Sequence, residues 1–342
     1  MSHVTSSRRR TTGALTLALS FASLALSGCG GGDAAADDTA PSSQQTADQQ
    51  TLHAQWPLTG LPVDGSLPDH GVFIVKIDNT DASAPQIGLA AADLVTEELV
   101  EGGLTRLAVF FDSDIPDLVG PVRSMRASDI GVVKAARATL VASGGAPPTV
   151  QRLASAHIKT ETEGAVGYYR DSSRSAPYNL MMKLPDLVKS MGDTPKPARP
   201  YLPFGREKDF PGGKPAKSFQ AVFSEGHTTS WQYQAAKGYV RPDSFAEDGD
   251  DYIPDSVLVL RVQITDAGYL DPAGNPVPET VLEGKGAAML FHDGQVVKGT
   301  WSKKSAKAVL HLKTKRGSLT VPTGHVWIEL IPADQGDVTI GK

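Results

Sequence analysis

The chain has 342 residues, enough for roughly two domains, and its composition of 40% hydrophobic and 21% charged residues is that of a globular protein. Its formal net charge is −5, and an acidic chain is a poor partner for nucleic acid, whose phosphates require basic patches. The single cysteine excludes a disulfide within the chain.

The N-terminus has the pattern of a secretory signal. Arg8, Arg9 and Arg10 form a basic start, and a short apolar segment follows at Ala14–Leu26. That segment is shorter than the about 20 residues that a membrane span needs. Removal of residues 1–28 takes away three arginines and no acid, which leaves a net charge of 30 − 38 = −8.

The signal ends in Leu26-Ser27-Gly28-Cys29, which resembles a bacterial lipobox. The resemblance implies cleavage before Cys29, diacylglycerol on its sulfur and an N-terminus acylated with a fatty acid such as palmitate. Several acyl chains would anchor the protein stably to the cell membrane, facing the extracytoplasmic side. An ordinary secreted protein with a stray thiol is the alternative. The consecutive arginines leave both the general and the twin-arginine export routes open.

Residues 29–55 contain almost nothing to bury and are predicted to be a disordered tether. Residues 56–200 then alternate between strand and helix patterns, which predicts an α/β domain. A Gly-Pro step opens one predicted helix, at Pro121. The other predicted elements are strands at Val72–Ile77, Leu107–Phe111 and Thr139–Ser143, a helix at Thr149–Ala156, and the ambiguous run Leu94–Glu101, for which a strand is favoured.

A proline-rich passage, residues 201–216 with its flanks, is predicted to be a linker. Residues 217–335 then have closely spaced Gly turns, which predict a mostly β domain able to fold by itself. Trp301 and Trp327 lie in this part, either in its core or on a sugar-stacking face. Its clearest strand patterns are Val257–Ile264, Ala287–Phe291, Val296–Trp301 and Val326–Ile331.

Several short motifs occur together in a defined order. They are Ile77-Asp78-Asn79, Pro85-Gln86-x-Gly88-Leu89, Ala92-Asp93, Val100-Glu101-Gly102-Gly103-x-Thr105-Arg106, Gly120-Pro121-Val122-Arg123-Ser124-x-Arg126, Arg170, Arg174, Ala176-Pro177-Tyr178-Asn179, Gly284-x-Gly286, Phe291-x-Asp293-Gly294 and Gly299-Thr300-Trp301. This set resembles the DUF3048 family, the YerB-like bacterial lipoproteins, over about Pro57–Pro332. The resemblance implies N-terminal and C-terminal domains of the family type. Ala84 and Tyr178 depart from the arginine and histidine usual there. The family has no assigned reaction.

Polar residues of these motifs lie at the ends of the predicted strands. Asp78 and Asn79 end the first strand, and Gly144-Gly145 follow the third. Ligands of open α/β sheets bind beyond the carboxyl ends of the strands. Glu101 and Arg106 would join this edge only if the second strand were antiparallel, which spacing does not decide.

Arg123 and Arg126 fall in the first turns of the helix predicted from Pro121, where the helix dipole already favours negative charge. A bound anion would balance them, and Arg170 and Arg174 could add to the cluster. The alternative is that Asp78 and Glu101 pair with the arginines and only hold loops in place. The predicted ligand-binding set is Asp78, Asn79, Glu101, Arg106, Arg123, Arg126, Gly144, Gly145, Arg170 and Arg174.

These patterns favour a non-catalytic lipoprotein of the cell envelope, anchored at Cys29, that binds an anionic envelope ligand or partner. An envelope enzyme that transfers or hydrolyses a phosphodiester or pyrophosphate with Mg²⁺ is the alternative. Nucleophilic catalysis has little support, because Ser124 lacks a Gly-x-Ser-x-Gly elbow. No resident metal or cofactor is expected, since the histidines lack zinc spacing and the acidic turns lack calcium-loop spacing.

Overall fold

The structure is a computed structural model that describes residues 54–192 and 200–341. The signal peptide, the Cys29 anchor and nearly all of the predicted tether lie outside these residues. The described residues belong to one compact unit, and none of their helices is long and apolar enough to cross a membrane.

The first half of the chain mixes strands with the three α-helices found among the described residues, so the predicted α/β character is confirmed. The helices are α1 (Asp129–Ala136), α2 (Pro147–Ser155) and α3 (Leu184–Met191). The strands are β1 (Phe73–Asp78), β2 (Leu94–Leu99), β3 (Thr105–Phe111), β4 (Thr139–Val141), β5 (Lys159–Glu161), β6 (Tyr168–Arg170) and β7 (Leu180–Met182).

The second half is built from strands, as its Gly-turn pattern predicts. They are β8 (Phe204–Gly205), β9 (Lys214–Pro215), β10 (Ser218–Ser224), β11 (His227–Gln234), β12 (Gly238–Val240), β13 (Ser256–Leu270), β14 (Pro276–Val281), β15 (Gly284–His292), β16 (Gln295–Lys303), β17 (His311–Thr314), β18 (Gly317–Leu319), β19 (Val321–Pro322), β20 (Val326–Pro332) and β21 (Asp337–Ile340). Short 3-10 turns lie at Asp81–Ser83, Glu101–Gly103 and Glu207–Asp209.

One large mixed sheet runs through both halves in the order β18-β17-β16-β15-β13-β20-β2-β3-β1-β4-β5. The halves meet where β20 pairs in parallel with β2, with Val326 opposite Leu94. A smaller sheet, β12-β11-β10-β21, covers part of one face. The family-type division into residues 56–200 and 217–335 remains a prediction, since both stretches share this sheet.

The large sheet separates two hydrophobic cores. One core includes residues of α1 and α2 together with Tyr201 and Leu202. The other includes α3 and the aromatic residues Phe219, Trp231 and Trp327 of the smaller sheet and β20. Side chains alternate between the two faces along each strand, so neighbouring residues enter different cores.

Three details differ from the sequence expectations. The helix predicted from Pro121 is wrong, because α1 begins at Asp129. The proline-rich passage 201–216 packs against the fold, since Tyr201 and Leu202 are buried and β8 and β9 each pair with another strand. Trp301 and Trp327 are both buried, which removes the sugar-stacking alternative for their rings.

Candidate functional site

An extended segment, residues 119–125, carries Arg123 to the carboxyl ends of β1 and β4, and Arg126 follows it directly. The Arg123 N–H donates to Lys76 O (2.8 Å), and the Ser143 N–H donates to Arg123 O (2.9 Å). The Val122 N–H donates to Leu180 O (2.7 Å). These bonds to neighbouring strands occupy the backbone groups that a helix would need, which explains why none begins at Pro121.

The strand direction that spacing left open is now defined. β3 is antiparallel to β1, with Arg106 directly opposite Asp78. β4 is parallel to β1, so Gly144 and Gly145 follow β4 at the same edge. Asp78, Glu101, Arg106, Arg123, Arg126, Gly144 and Gly145 therefore gather at one edge of the sheet.

Arg123 lies against an acid and an aromatic ring. Its Nη1 is 3.3 Å from Asp78 Oδ2, and its guanidinium carbon lies 4.9 Å from the centre of the Tyr178 ring. Stacking on a tyrosine is a common arrangement for arginine. Tyr178, which replaces the usual family histidine, thus contributes its ring face to this edge.

Arg126 forms a bidentate pair with Glu101. Its Nη2 donates to Glu101 Oε2 (2.7 Å), and its Nε donates to Glu101 Oε1. Burial alone would raise the pKa of Glu101, but the hydrogen bonds and charge of Arg126 lower it overall. Both side chains are mostly buried. This pair agrees with the alternative in which the acids neutralise the arginines and only hold loops in place.

Arg106 is the deepest cation of the edge. Its side chain is buried, and its Nη1 donates to Ser124 O (2.9 Å). Its Nε has no hydrogen-bond partner among the described residues. Burial, followed by the charges of Arg126 and Arg123, lowers the pKa of Arg106 to about 10. The three guanidinium groups thus lie close to one another and to the carboxylates of Asp78 and Glu101, and the Asp129 carboxylate also acts on Arg126.

A cavity of about 330 Å³ opens beside Arg126. Its lining includes Ser124, Gly144, Gly145 and Ala146, the residue before α2, together with the carboxylates of Glu101 and Asp271. Ala146 gives α2 no side-chain cap, so the positive end of the α2 dipole faces the cavity. A helix does begin beside Arg126, as expected, but it is α2 and not a helix from Pro121. We call this the arginine cavity.

Three predicted site residues lie elsewhere. Asn79 turns to the other face of the sheet, where its Nδ2 donates to Glu97 Oε1 (2.9 Å). Arg170 is exposed and pairs with Glu163 (2.7 Å). Arg174 donates to Pro85 O (2.8 Å) and lines a separate cavity of about 610 Å³, which it shares with Tyr178.

Sequence reasoning missed a buried charge network on the face of β1–β3 that carries Asp78 and Arg106, which we call the arginine face. Lys76, Glu98 and Asp129 are fully buried, and Lys76 Nζ contacts Glu98 Oε1 and Asp129 Oδ1, the latter at 2.8 Å. One cation thus faces two carboxyls. Burial raises the pKa of Glu98 to about 7, against the opposing effect of Lys76. A lysine in an otherwise apolar strand was the available signal.

A second missed network lies on the opposite face, around the buried Glu97. Glu97 Oε1 accepts hydrogen bonds from Asn79 Nδ2, Thr105 Oγ1 (2.7 Å) and Thr229 Oγ1 (3.0 Å), and lies 2.8 Å from His227 Nε2. Burial alone would raise the pKa of Glu97, but the hydrogen bond and charge of His227, with the charge of Arg241, lower it to about 2. Thr229 and His227 are too distant in sequence to be anticipated.

Glu97 has a second buried carboxyl as its neighbour. Glu329 pairs with it across β2 and β20 and accepts a hydrogen bond from Trp231 Nε1 (2.7 Å). Burial and the Glu97 charge raise the pKa of Glu329 well above its usual value. The two neighbouring carboxyls are therefore driven apart in pKa, with that of Glu97 lowered and that of Glu329 raised.

The carboxylates do not form a metal centre. No group of three His, Cys, Asp or Glu side chains within residues 54–192 and 200–341 is placed to hold a metal ion. Asp78 and Glu101, the carboxylates considered for Mg²⁺, each face an arginine. No specific contact therefore favours the phosphodiester or pyrophosphate enzyme over a binding protein.

The chain matches two family descriptions in succession. Residues 58–196 match the "Protein of unknown function (DUF3048) N-terminal domain", and residues 219–328 match the corresponding C-terminal domain. The chain belongs to the DUF3048 family. The resemblance noted from the motifs is thereby confirmed.

The YerB protein of Bacillus subtilis extends this result in two comparisons, one of sequence and one of structure. The chain is 25% identical over 302 residues to the strain 168 protein named "Putative lipoprotein YerB", a match that covers 84% of this chain and 89% of that protein. The crystal structure of the YerB protein from Bacillus subtilis has a TM-score of 0.70 at 21% identity, covering 84% of this chain and 99% of that chain. The structural match shows a common DUF3048 fold.

Proposed function

We propose that this DUF3048 protein is a lipoprotein of the cell envelope, anchored through Cys29, whose folded part binds an anionic envelope ligand or partner segment. Similarity to a protein named a lipoprotein supports the general class. The lipobox-like Leu26-Ser27-Gly28-Cys29 supports the anchor and its extracytoplasmic side. The arginine cavity supports the anion.

The anchor can be tested on the full chain. Cys29→Ser removes the thiol that would carry the lipid, so we expect the variant to keep its signal peptide or to appear outside the membrane fraction. Detergent-phase partitioning of whole-cell extracts measures this loss. Normal processing and membrane partitioning of Cys29→Ser would contradict the lipoprotein assignment.

The observation that carries the anion proposal is the convergence of Arg126 and the start of α2 on one cavity. The first two helical residues of α2, Pro147 and Pro148, have no N–H. The helix therefore contributes the positive end of its dipole, and the guanidinium of Arg126 contributes the N–H donors that suit a phosphate or carboxylate. The hydroxyls of Ser124 and Ser143 also line the cavity and can donate hydrogen bonds.

The incomplete pairing of Arg106 also supports this site. Arg106 is buried with an unpartnered Nε, and an incompletely paired buried charge is costly. Its Nη1 donates to Ser124 O, and Ser124 lines the cavity. An anion bound there would offset part of that cost. Arg123 and Arg126 then act through different contacts, since Arg123 stacks on Tyr178 while Arg126 borders the cavity.

The test is phosphate titration of the soluble chain 52–342, with the amide NMR signals of Gly144 and Gly145 as a local readout. We expect saturable shifts of these two signals. Arg126→Gln combined with Glu101→Gln removes the pair without changing net charge, and should abolish the shifts while the fold persists.

Arg170→Gln is the matched control, because it removes an exposed, paired guanidinium far from the cavity. It should leave the glycine shifts unchanged. The ligand proposal fails if the Gly144 and Gly145 signals do not respond to phosphate or to carboxylate. In that case the arginines and acids hold loops in place.

A further inference from the structure

A second cavity, of about 420 Å³, lies at the opposite end of the same strands. It is lined where α1 leads into β4 and where α2 leads into β5. Thr139 begins β4 here, whereas Gly144 and Gly145 of the arginine cavity follow its other end. At about 3.3 Å per strand residue the two cavities are roughly 15–20 Å apart. We call this one the basic cavity.

Every charged residue that lines the basic cavity is a cation. The cations are Lys134, Arg137, Lys159 and Lys307, and the ring of His157 also lines the cavity. The whole chain carries more acids than bases, so four cations without an acid in one lining depart from its average composition. Unbalanced cations in a concave surface focus a positive potential.

Local contacts balance only part of this charge. Lys159 Nζ lies 3.8 Å from Glu161 Oε1, at an exposed position. Lys134 Nζ donates to Ala156 O. Arg137 and Lys307 form no ion pair with any described residue.

The helix dipoles also balance only part of it. α1 ends at Ala136 and α2 ends at Ser155, so two negative helix ends face this region. Each helix end corresponds to about half an elementary charge. Two such ends and Glu161 offset about two of the four cations, which leaves an excess of about two positive charges.

The backbone holds two of these side chains at an energetic cost. Arg137 and His157 both have φ of 54°, the left-handed region that glycine adopts without strain. Only one other non-glycine residue in the described ranges, Asp293, has positive φ. Glycine would terminate α1 and α2 more easily at these positions. Because arginine and histidine occupy these positions instead of glycine, we infer that their side chains have a function.

We infer that the basic cavity binds a phosphate group, either as a free ion or as part of a larger phosphate ester such as a lipid headgroup. Arg137 supplies paired N–H donors that fit a tetrahedral oxyanion, and Lys307 and Lys159 supply point charges. The volume exceeds the roughly 30 Å³ of a water molecule many times, so the phosphate can keep part of its hydration shell.

The deciding variant is Arg137→Gly with Lys307→Gln in the soluble chain 52–342. Glycine suits the φ of residue 137, so we expect the melting temperature to stay equal or rise. The calorimetric titration with inorganic phosphate is done with Arg126→Gln and Glu101→Gln already in place, so that the arginine cavity does not contribute. It should show binding, weakened at least tenfold when Arg137→Gly and Lys307→Gln are added. The matched control, Lys298→Gln with Arg316→Gln, removes the same charge from exposed positions elsewhere and should bind as the wild type does.

A second arm identifies the source of the phosphate. Vesicles of phosphatidylcholine with phosphatidylglycerol are sedimented with each protein, and pure phosphatidylcholine is the reference. Binding to the anionic vesicles that the double variant loses supports a lipid headgroup. Phosphate binding without vesicle binding supports a free phosphate or a soluble ester.

Two outcomes would overturn the inference. One is that, in the Arg126→Gln and Glu101→Gln background, the folded protein with Arg137→Gly and Lys307→Gln binds phosphate as tightly as the protein without them. The other is that neither inorganic phosphate nor the anionic vesicles bind to the wild type. The arginine cavity is tested separately, because Arg126→Gln with Glu101→Gln should leave binding at the basic cavity unchanged.

Discussion

The two faces of β1–β3 bury charge in different ways. On the arginine face, Lys76 sits between two carboxyls, and both partners belong to the first half of the chain. On the opposite face, Glu97 is surrounded by hydrogen-bond donors, and two of its neighbours, His227 and Thr229, come from the second half. One face is therefore satisfied locally, whereas the other depends on contacts between the halves.

This difference separates two roles for buried polar groups. Lys76, Glu98 and Asp129 fix where α1 begins relative to β1 and β2, because Asp129 is also the first residue of α1. The Glu97 network instead ties β2 to β11 and, through Glu329, to β20. The sheet is continuous across the halves, and its polar contacts at the junction are specific.

Separating the two halves of the chain should have the largest effect on stability. A fragment starting at Lys217 lacks β2, so β20 loses one of its two parallel neighbours and keeps only β13, and Glu329 loses Glu97. We therefore expect no cooperative unfolding transition for the fragment, although the sequence favoured independent folding. Tryptophan fluorescence in urea measures it, with the chain 52–342 as the control. A single cooperative transition of the isolated fragment would show that the junction is dispensable.

Lys76→Met disrupts the charge network of the arginine face and leaves the opposite face intact. It leaves two buried carboxyls without their cation, and removal of one partner from a buried ion pair costs about 3–5 kcal/mol. Urea unfolding at pH 7 measures the loss. Arg152→Met, which breaks the partly exposed pair with Glu279, should change stability by no more than about 1 kcal/mol. Equal losses for the two variants would mean that burial of Lys76 is unimportant.

Glu97→Gln tests the opposite face. The carboxylate accepts several hydrogen bonds, so we expect a loss of about 2–3 kcal/mol at pH 7. The folded pKa of about 2 lies below the usual 4.5. The contribution of Glu97 is therefore complete above about pH 4.5 and declines as the pH falls toward 2.

The difference between wild type and Glu97→Gln should thus shrink at pH 3. Urea unfolding of both proteins at pH 7 and pH 3 measures it, with the exposed Glu163→Gln as the control. A difference that is the same at both pH values would argue against an ionised Glu97 in the folded state.

Much of the fold could be predicted from local patterns. The apolar runs at Val72–Ile77 and Leu107–Phe111 are strands, and the ambiguous run after Leu94 is β2. Thr149–Ala156 largely coincides with α2. The strands bury nearly every side chain, so their composition alone identifies them. α2 buries only Thr149 and Leu153, and their spacing of four residues indicates one buried helix face.

The candidate site was predicted in part. The gathering of Asp78, Arg106 and Gly144 at one edge followed from strand ends once β3 was seen to be antiparallel. The helix at Pro121 could not be judged from sequence, because the hydrogen bonds that keep residues 119–125 extended come from Lys76, Ser143 and Leu180. Likewise, Glu97 and Glu98 point to opposite faces, and distant partners decide the environment of each.

The parallel pairing of β2 with β20 also means that the sheet can be completed only after most of the chain has been synthesised. Leu94 pairs with Val326, so β2 must wait for nearly the whole polypeptide before its second edge is covered. Pairings of such sequence separation close slowly, and an uncovered edge next to an apolar face favours aggregation. We expect a chain interrupted before Val326 to aggregate, and an exported chain to need protection along β2 until its last strands arrive.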